Sequence, residues 1–195
     1  SIKIPGTVKT VGLYSFQDCS GLVSLELAEG VETLESYAFR GCSALTQVTL
    51  PASLTEVGIG VFGGHGPSIV FTSLATTPPP HNDGSPLGEV DGVTLYVPQG
   101  SLNAYKAAFG WKSYLNIFAP ATFTVTNRTG GAATLGAPTL SGADTADFEI
   151  EAAGLPQTLA LGESATFTVR PKTGLAAGSY TAQVQLVAED GAGTS

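Results

Sequence analysis

With 195 residues, of which 43% are hydrophobic and only 12% charged, and with 25 glycines and 12 prolines, the chain is too apolar for a disordered polymer and too punctuated for a helical bundle. The net charge of −8 divides evenly, five Lys and Arg against nine Asp and Glu in residues 1–119 and three against seven in the rest, which leaves no basic face for phosphate backbones or anionic lipid. No nucleic-acid partner is expected, and because no apolar run approaches the roughly 18 residues of a membrane span, no membrane insertion within this sequence either.

Self-comparison finds three consecutive blocks of 23 residues: SIKIPGTVKTVGLYSFQDCSGLV, SLELAEGVETLESYAFRGCSALT and QVTLPASLTEVGIGVFGGHGPSI. Ile4, Leu27 and Leu50 share a column, as do Val8, Val31 and Leu54, then Val11, Leu34 and Val57, then Phe16, Phe39 and Phe62. Such a repeat predicts a solenoid, in which each coil turns an apolar face inward and buries it by stacking on its neighbours. Leu22, Leu25 and Leu27, then Leu45, Val48 and Leu50, alternate as half-buried strands do. Strands of successive coils are expected to pair in parallel. Lys3, Ser24, Glu26, Gln47 and Thr49 then point outward as a ladder on one face.

These blocks resemble the BspA-like leucine-rich repeats, whose pattern runs L-x-x-V-x-L-P-x-S-V-x-x-I-G-x-x-A-F-x-G-C-x-x. Glu35 stands where that pattern has glycine, Val61 where it has alanine, and GGHGPS replaces the cysteine region of the third block. Regular coiling is therefore expected to end there. SIVFTS and VTLYVP read as a fourth and a fifth strand around the loop TTPPPHNDGSPLGEVDG. Ser101 reads as an N-cap, and Leu102, Tyr105 and Phe109 recur at helical spacing, which predicts a short amphipathic helix over the end of the solenoid. The string LYVPQGSLNAYKAAFGWKSYLNI resembles the C-terminal cap of the same proteins, so the resemblance covers residues 1 to about 118.

Past Ala119, Pro120 and Ala121, where a linker is expected, the composition shifts to Thr, Ala, Gly and Val. FTVTN, DFEIEA, QTLAL, ATFTVRP and YTAQVQLVA alternate between turns about every ten residues, the pattern of an antiparallel sandwich. This stretch resembles bacterial Ig-like domains of the pattern F-x-V-x-N, D-F-x-I, G-x-S-x-x-F-x-V-x-P, G-x-Y-x-A-x-V. The fold class that follows is mainly β: a short leucine-rich-repeat solenoid with parallel strands and a helical cap over residues 1–118, then an antiparallel Ig-like sandwich over residues 121–195. The sandwich is expected to lack part of its last strand, and both ends read as cuts in a longer protein.

Motifs that could carry chemistry are sparse. Gly58, Gly60 and Gly63 have the G-x-G-x-x-G spacing, but Gly64, His65, Gly66 and Pro67 leave no helix after it, so they read as a repeat turn and no cofactor is expected. Cys19 and Cys42 stand one repeat apart, about the 4.8 Å of neighbouring strands, and are expected to be buried free thiols, with a disulfide as the alternative. Glu26, Glu29, Glu32 and Glu35 are spread around a coil and read as solvated. His65 and His81 lie in loops and read as solvated too. Asn82, Asp83, Glu89 and Asp91 lack the spacing of a calcium loop, and no metal site is expected. Asn127, Arg128 and Thr129 form an N-x-T sequon expected to stay unused, and Asp144, Thr145 and Ala146 resemble a D-T-A acceptor for O-glycosylation.

No catalytic residues are expected and the chain reads as a non-enzyme. The resemblance implies a bacterial cell-surface or secreted adhesion module, with its signal and anchor outside this sequence. Its partner would be a host or bacterial surface protein or a glycan, met by the exposed ladder of Lys3, Ser24, Glu26, Gln47 and Thr49, and the expected state is a monomer. The alternative is a structural spacer that displays another part of a larger surface protein.

Overall fold

The computed structural model describes residues 1–81, 84–175 and 180–190. The chain forms two compact units, Ser1–Ala119 and Pro120–Ser195. In the first unit each repeat block makes one coil carrying two short strands. Coil 1 has β1 (Ile2–Ile4) and β2 (Thr10–Val11), coil 2 has β3 (Leu25–Leu27) and β4 (Thr33–Leu34), and coil 3 has β5 (Gln47–Leu50) and β6 (Glu56–Val57). β7 (Ile69–Ser73), β8 (Val93–Tyr96) and β9 (Asn116–Phe118) continue one side, so that β1, β3, β5, β7, β8 and β9 form a six-stranded parallel sheet, and β2, β4 and β6 a narrower parallel one. The sequence predicts five strands on this side. The sixth, β9, lies in a segment whose nearby Tyr105 and Phe109 suggest helix.

The register follows the repeat. Ile2, Leu25, Val48, Phe71, Leu95 and Ile117 are consecutive Cα partners across the sheet, and all but Ile2 are buried. Opposite the sheets, Phe16, Phe39 and Phe62 stack with centroids 5.1 and 5.3 Å apart and planes within 7°. Phe71 closes the row at 5.0 Å, tilted by 58°. Parallel rings one coil apart are what a fixed rise per coil imposes on a column of identical residues.

The turn after the second strand of each coil reverses through a left-handed residue at the same place every time: Tyr14 (φ 55°), Tyr37 (φ 60°) and Gly60 (φ 54°). Two of the three are not glycine, so the coil imposes this conformation against its steric cost of roughly 1–2 kcal/mol. Backbone N–H groups of the turn then donate to the next coil: Phe16 to the Ala38 carbonyl at 2.8 Å, Asp18 to Arg40 at 2.7 Å, Phe39 to Val61 at 2.8 Å and Gly41 to Gly63 at 2.7 Å.

Coil 1 departs from its sequence expectation. Val8 is 38% exposed, whereas Val31 and Leu54 in its column are buried. Phe16 is half-buried, and Cys19 is exposed while Cys42 is buried. Both thiols are free, but only Cys42 behaves as expected of a core thiol: its Sγ–H donates to the Phe16 carbonyl at 3.4 Å, and burial, with a smaller contribution from Cys19, pushes its pKa up to about 11.

Helix α1 (Leu102–Ala107) and a 3-10 turn at Trp111–Ser113 add Tyr105, Trp111 and Tyr114 to the same apolar core. The Tyr105 hydroxyl bonds the Ser73 hydroxyl at 2.7 Å and the Ala75 carbonyl at 3.0 Å, and the Trp111 indole N–H donates to the Pro79 carbonyl at 2.8 Å. Burial raises the pKa values of Tyr105 and Tyr114. Ser101 stands at the N-cap as expected, although its side chain makes no capping bond. One helix expectation fails: the backbone turns extended at Ala108, so Phe109 lies beyond the helix, 58% exposed.

The second unit is antiparallel throughout. β10 (Ala121–Thr126), β15 (Ser164–Pro171) and β13 (Phe148–Glu151) form one sheet in the order β10-β15-β13. β11 (Ala133–Leu135), β14 (Gln157–Leu159) and β17 (Ala188–Asp190) form a second, and β12 (Thr139–Ser141) pairs with β16 (Gln183–Gln185). β11 and β12, absent from the sequence prediction, are three-residue strands between glycines and prolines, too short to show alternation. Leu135, Leu159 and Ala165 are buried with Val125, Leu155 and Leu186 packed against them, and Phe123 stacks on Phe167 at 5.1 Å. Asn127 of the sequon is buried: its amide donates to the Gly131 and Leu159 carbonyls at 2.8 Å, and its oxygen accepts from the Thr129 N–H and hydroxyl.

Phe39 is stacked on both ring faces, so Phe39→Ala is expected to destabilise the repeat unit by about 3–5 kcal/mol, since neighbours fixed by backbone bonds collapse poorly around the void. Thermal unfolding followed by circular dichroism reads the loss, and a change under about 1 kcal/mol contradicts the stacked core. The two thiols are expected to separate by rate: Cys19 reacts promptly with an aromatic disulfide reagent in the folded protein, and Cys42 only on unfolding, because exposure and thiolate fraction control the reaction. Equal rates for both run against this burial.

Candidate functional site

Lys3, Glu26, Thr49 and Thr72 are consecutive partners across β1, β3, β5 and β7, alternating with the buried row and so turned to the other face of the sheet. Ser24 is exposed one residue before β3, and Gln47 is exposed opposite Val70. All five residues assigned to the ladder are thus exposed, with Lys3, Glu26 and Thr49 in one row. The row is not a set of independent side chains. Lys3 Nζ meets Glu26 Oε1 at 2.6 Å, and Lys9 Nζ meets Glu32 Oε1 at 2.7 Å in the next turn of the coil. Lysine and glutamate separated by one repeat mark both pairs in the sequence, outside the apolar columns.

Toward β8 the same face changes character. Thr94 and Tyr96, in register with Val70 and Thr72, are buried. The accessible ladder therefore spans β1, β3, β5 and β7.

Both histidines correct the expectation of solvated loops. The Nδ1–H of His81 donates to the Val57 carbonyl at 2.8 Å from a buried position, tying the Pro-rich loop to coil 3. The Nδ1–H of His65 donates to the Gly66 carbonyl at 2.6 Å, with its Nε2 3.8 Å from Glu89 Oε2. The Nε2 atoms of both rings are buried without a hydrogen-bond partner among the described residues. His81 borders a recess of about 450 Å³ with Ser36, Thr55, Glu56, Val57 and Ile59. A second recess of about 350 Å³ lies between Tyr37, Arg40, Gly60, Gly63 and Glu89. Asn82 and Asp83 lie outside the described residues. Among those described, no three or more His, Cys, Asp or Glu side chains group in a way that could hold a metal ion, and no helix is long and apolar enough to cross a membrane.

Glu29, Glu35 and Glu89 hold coils together. Glu29 accepts from the Ala52 N–H at 2.7 Å and the Ser53 N–H at 3.1 Å in the next coil. Glu35 accepts from the Leu13 N–H of the previous coil at 2.7 Å, and Glu89 from the Gly64 N–H at 2.8 Å. Each carboxylate fills donors that a neighbouring coil leaves unpaired, which explains why Glu35 can replace glycine in its column. The Ala52 N–H, with smaller help from Ser53 and against some desolvation, lowers the Glu29 pKa below its ordinary 4.5.

A depressed carboxylate pKa contributes stability that is complete above the unfolded value and lost as pH falls through the folded one. Glu29→Gln is expected to lower stability at pH 7 by about 1 kcal/mol or less, given the exposure of the side chain. Denaturant unfolding of the two proteins is expected to converge on acidification, beginning near pH 4.5 and completing below it. A gap that stays constant through acid assigns the effect to shape and not to charge.

No curated protein matches the chain. Residues 1–73, the coils and the strand after them, match the family model described as the BspA type leucine rich repeat region (6 copies), so the segment that carries the exposed ladder is similar to the repeats of that family.

Proposed function

We propose that the repeat unit is a non-catalytic recognition module of a surface or secreted protein, which meets a protein or glycan partner through the open face of its parallel sheet. The observation that carries this reading is the in-register row of Lys3, Glu26, Thr49 and Thr72. Its side chains stand outside the buried columns and can be exchanged without touching the core, the property that makes solenoid faces suited to recognition. The exposed row carries no histidine, cysteine or serine nucleophile beside a base, the kind of set an active site gathers in one pocket. Similarity to BspA type repeats supports an interaction role and a surface or secreted location. We read α1 and the aromatic turn after it as the cap of the solenoid, and the second unit as an Ig-like spacer.

The ladder has no aromatic anchor of the kind that dominates tight interfaces, which favours a structural spacer as the second reading. An array of host matrix proteins and bacterial glycans separates the two. Reproducible capture that falls at least tenfold in the double variant Glu26→Ala, Thr49→Ala supports recognition through the ladder. Capture that ignores the variant, or none at all, overturns it in favour of spacing.

A further inference from the structure

The repeat is broken at two places that matter only in three dimensions. In the column of the left-handed turn, coils 1 and 2 carry Tyr14 and Tyr37, whose rings stack at 5.3 Å with planes 7° apart. Coil 3 has Gly60 there, in the same backbone conformation. Three residues on, Gln17 and Arg40 are followed by Gly63. Two large side chains are therefore missing from adjacent points of one coil, and both glycines line a recess of about 350 Å³, at the low end of ligand-sized clefts.

The walls of the notch are chemically distinct. On the coil 2 side stand the Tyr37 ring and, 5.5 Å from its centroid, the Arg40 guanidinium, which makes no ion pair among the described residues. On the far side Glu89 uses Oε2 to accept from Gly64 and turns Oε1 toward Gly63. A Cβ built on Gly63 lies 3.9 Å from both Arg40 Cγ and Glu89 Oε1, so a group resting there packs on the arginine stem and comes near a carboxylate acceptor, with the guanidinium on the same wall of the recess. Exposed Ile59 adds an apolar edge.

We propose that this notch binds one neutral hexopyranose ring of a glycan, seated where a third tyrosine would continue the Tyr14–Tyr37 stack. A pyranose offers an apolar C–H face to Tyr37 and Ile59 and hydroxyls on its rim that accept from Arg40 and donate to Glu89. An aromatic side chain would fill the same space but leave both charged groups unmatched, and an anionic sugar would meet the Glu89 carboxylate. The site rests on the reading of this unit as a binding module, but it lies on a different side of the coil from the Lys3, Glu26 and Thr49 ladder.

The test is a titration of the full chain with methyl glycosides of glucose, galactose, mannose and N-acetylglucosamine, followed by amide chemical shifts, with N-acetyltyrosinamide as the aromatic comparison. Saturable shifts at Gly60 and Gly63 with at least one glycoside are expected. Arg40→Gln, which installs the residue coil 1 carries at that column, is expected to weaken binding at least tenfold. Gly60→Tyr is expected to abolish it, because tyrosine already occupies this backbone conformation in two coils and its ring fills the notch. Should Gly60→Tyr not fold, the Arg40→Gln result decides alone. Absence of shifts with every glycoside, an undiminished response in Arg40→Gln or in folded Gly60→Tyr, or a response to N-acetyltyrosinamide only, overturns the proposal. The Glu26→Ala, Thr49→Ala variant is expected to leave the response unchanged, so loss of ladder binding and loss of notch binding are read separately.

Discussion

Coil-on-coil stacking at a fixed rise is the constraint on which the first unit depends. No coil can bury its own Leu, Val and Phe residues, because each is a single loop of chain with one apolar side. Stacking at strand spacing satisfies the backbone and the apolar columns with the same translation: the parallel ladder through Leu25, Val48 and Phe71 and the ring stack of Phe16, Phe39 and Phe62 are two expressions of one repeat. The left-handed column of Tyr14, Tyr37 and Gly60 shows how strictly the translation holds, since tyrosine accepts an unfavourable conformation to keep it.

The same constraint orders the polar residues. Any side chain at a given column faces its counterpart one coil away, so charge, carboxylate and hydroxyl act across coils and seldom within one. Lys3 with Glu26 and Lys9 with Glu32 form cross-coil pairs that are exposed and individually weak. Glu29, Glu35 and Glu89 reach backbone N–H groups of adjacent coils, as the Ser53 hydroxyl does for the Gly30 N–H. Within a run of glutamates that looks like a surface charge cluster, Glu29 and Glu35 are thus fastenings, and the surface left for recognition is narrower than the count of polar residues suggests.

Irregularities in the repeat carry the functional interest, because regular columns are committed to the core. Where coil 3 substitutes Gly60 and Gly63, the wall opens into a recess between Arg40 and Glu89. Where the chain leaves the repeat at the Pro-rich loop, His81 binds it back to Val57 and Trp111 to Pro79. In the second unit, Asn127 spends its whole side chain on a turn, which gives the sequon a structural purpose and buries its acceptor nitrogen.

The sequence by itself determined the 23-residue period, the parallel pairing, the Phe16, Phe39 and Phe62 stack and the outward placement of Lys3, Ser24, Glu26, Gln47 and Thr49, because a strict period fixes which residues are neighbours one coil apart. It also marked most segments that become antiparallel strands after Ala119, whose alternation is a local property. Only the tertiary structure decided how coil 1 differs from coils 2 and 3: identical columns make Val8 and Cys19 look as buried as Val31 and Cys42, yet Val8 and Cys19 are exposed. It also decided the fate of His65 and His81, the end of α1 before Phe109 and the existence of β9, since these follow from contacts across the Pro-rich loop that no period encodes. The notch at Gly60 and Gly63 needed both, for the missing side chains are written in the columns, while the approach of Arg40 and Glu89 from separate elements exists only once the coils are stacked.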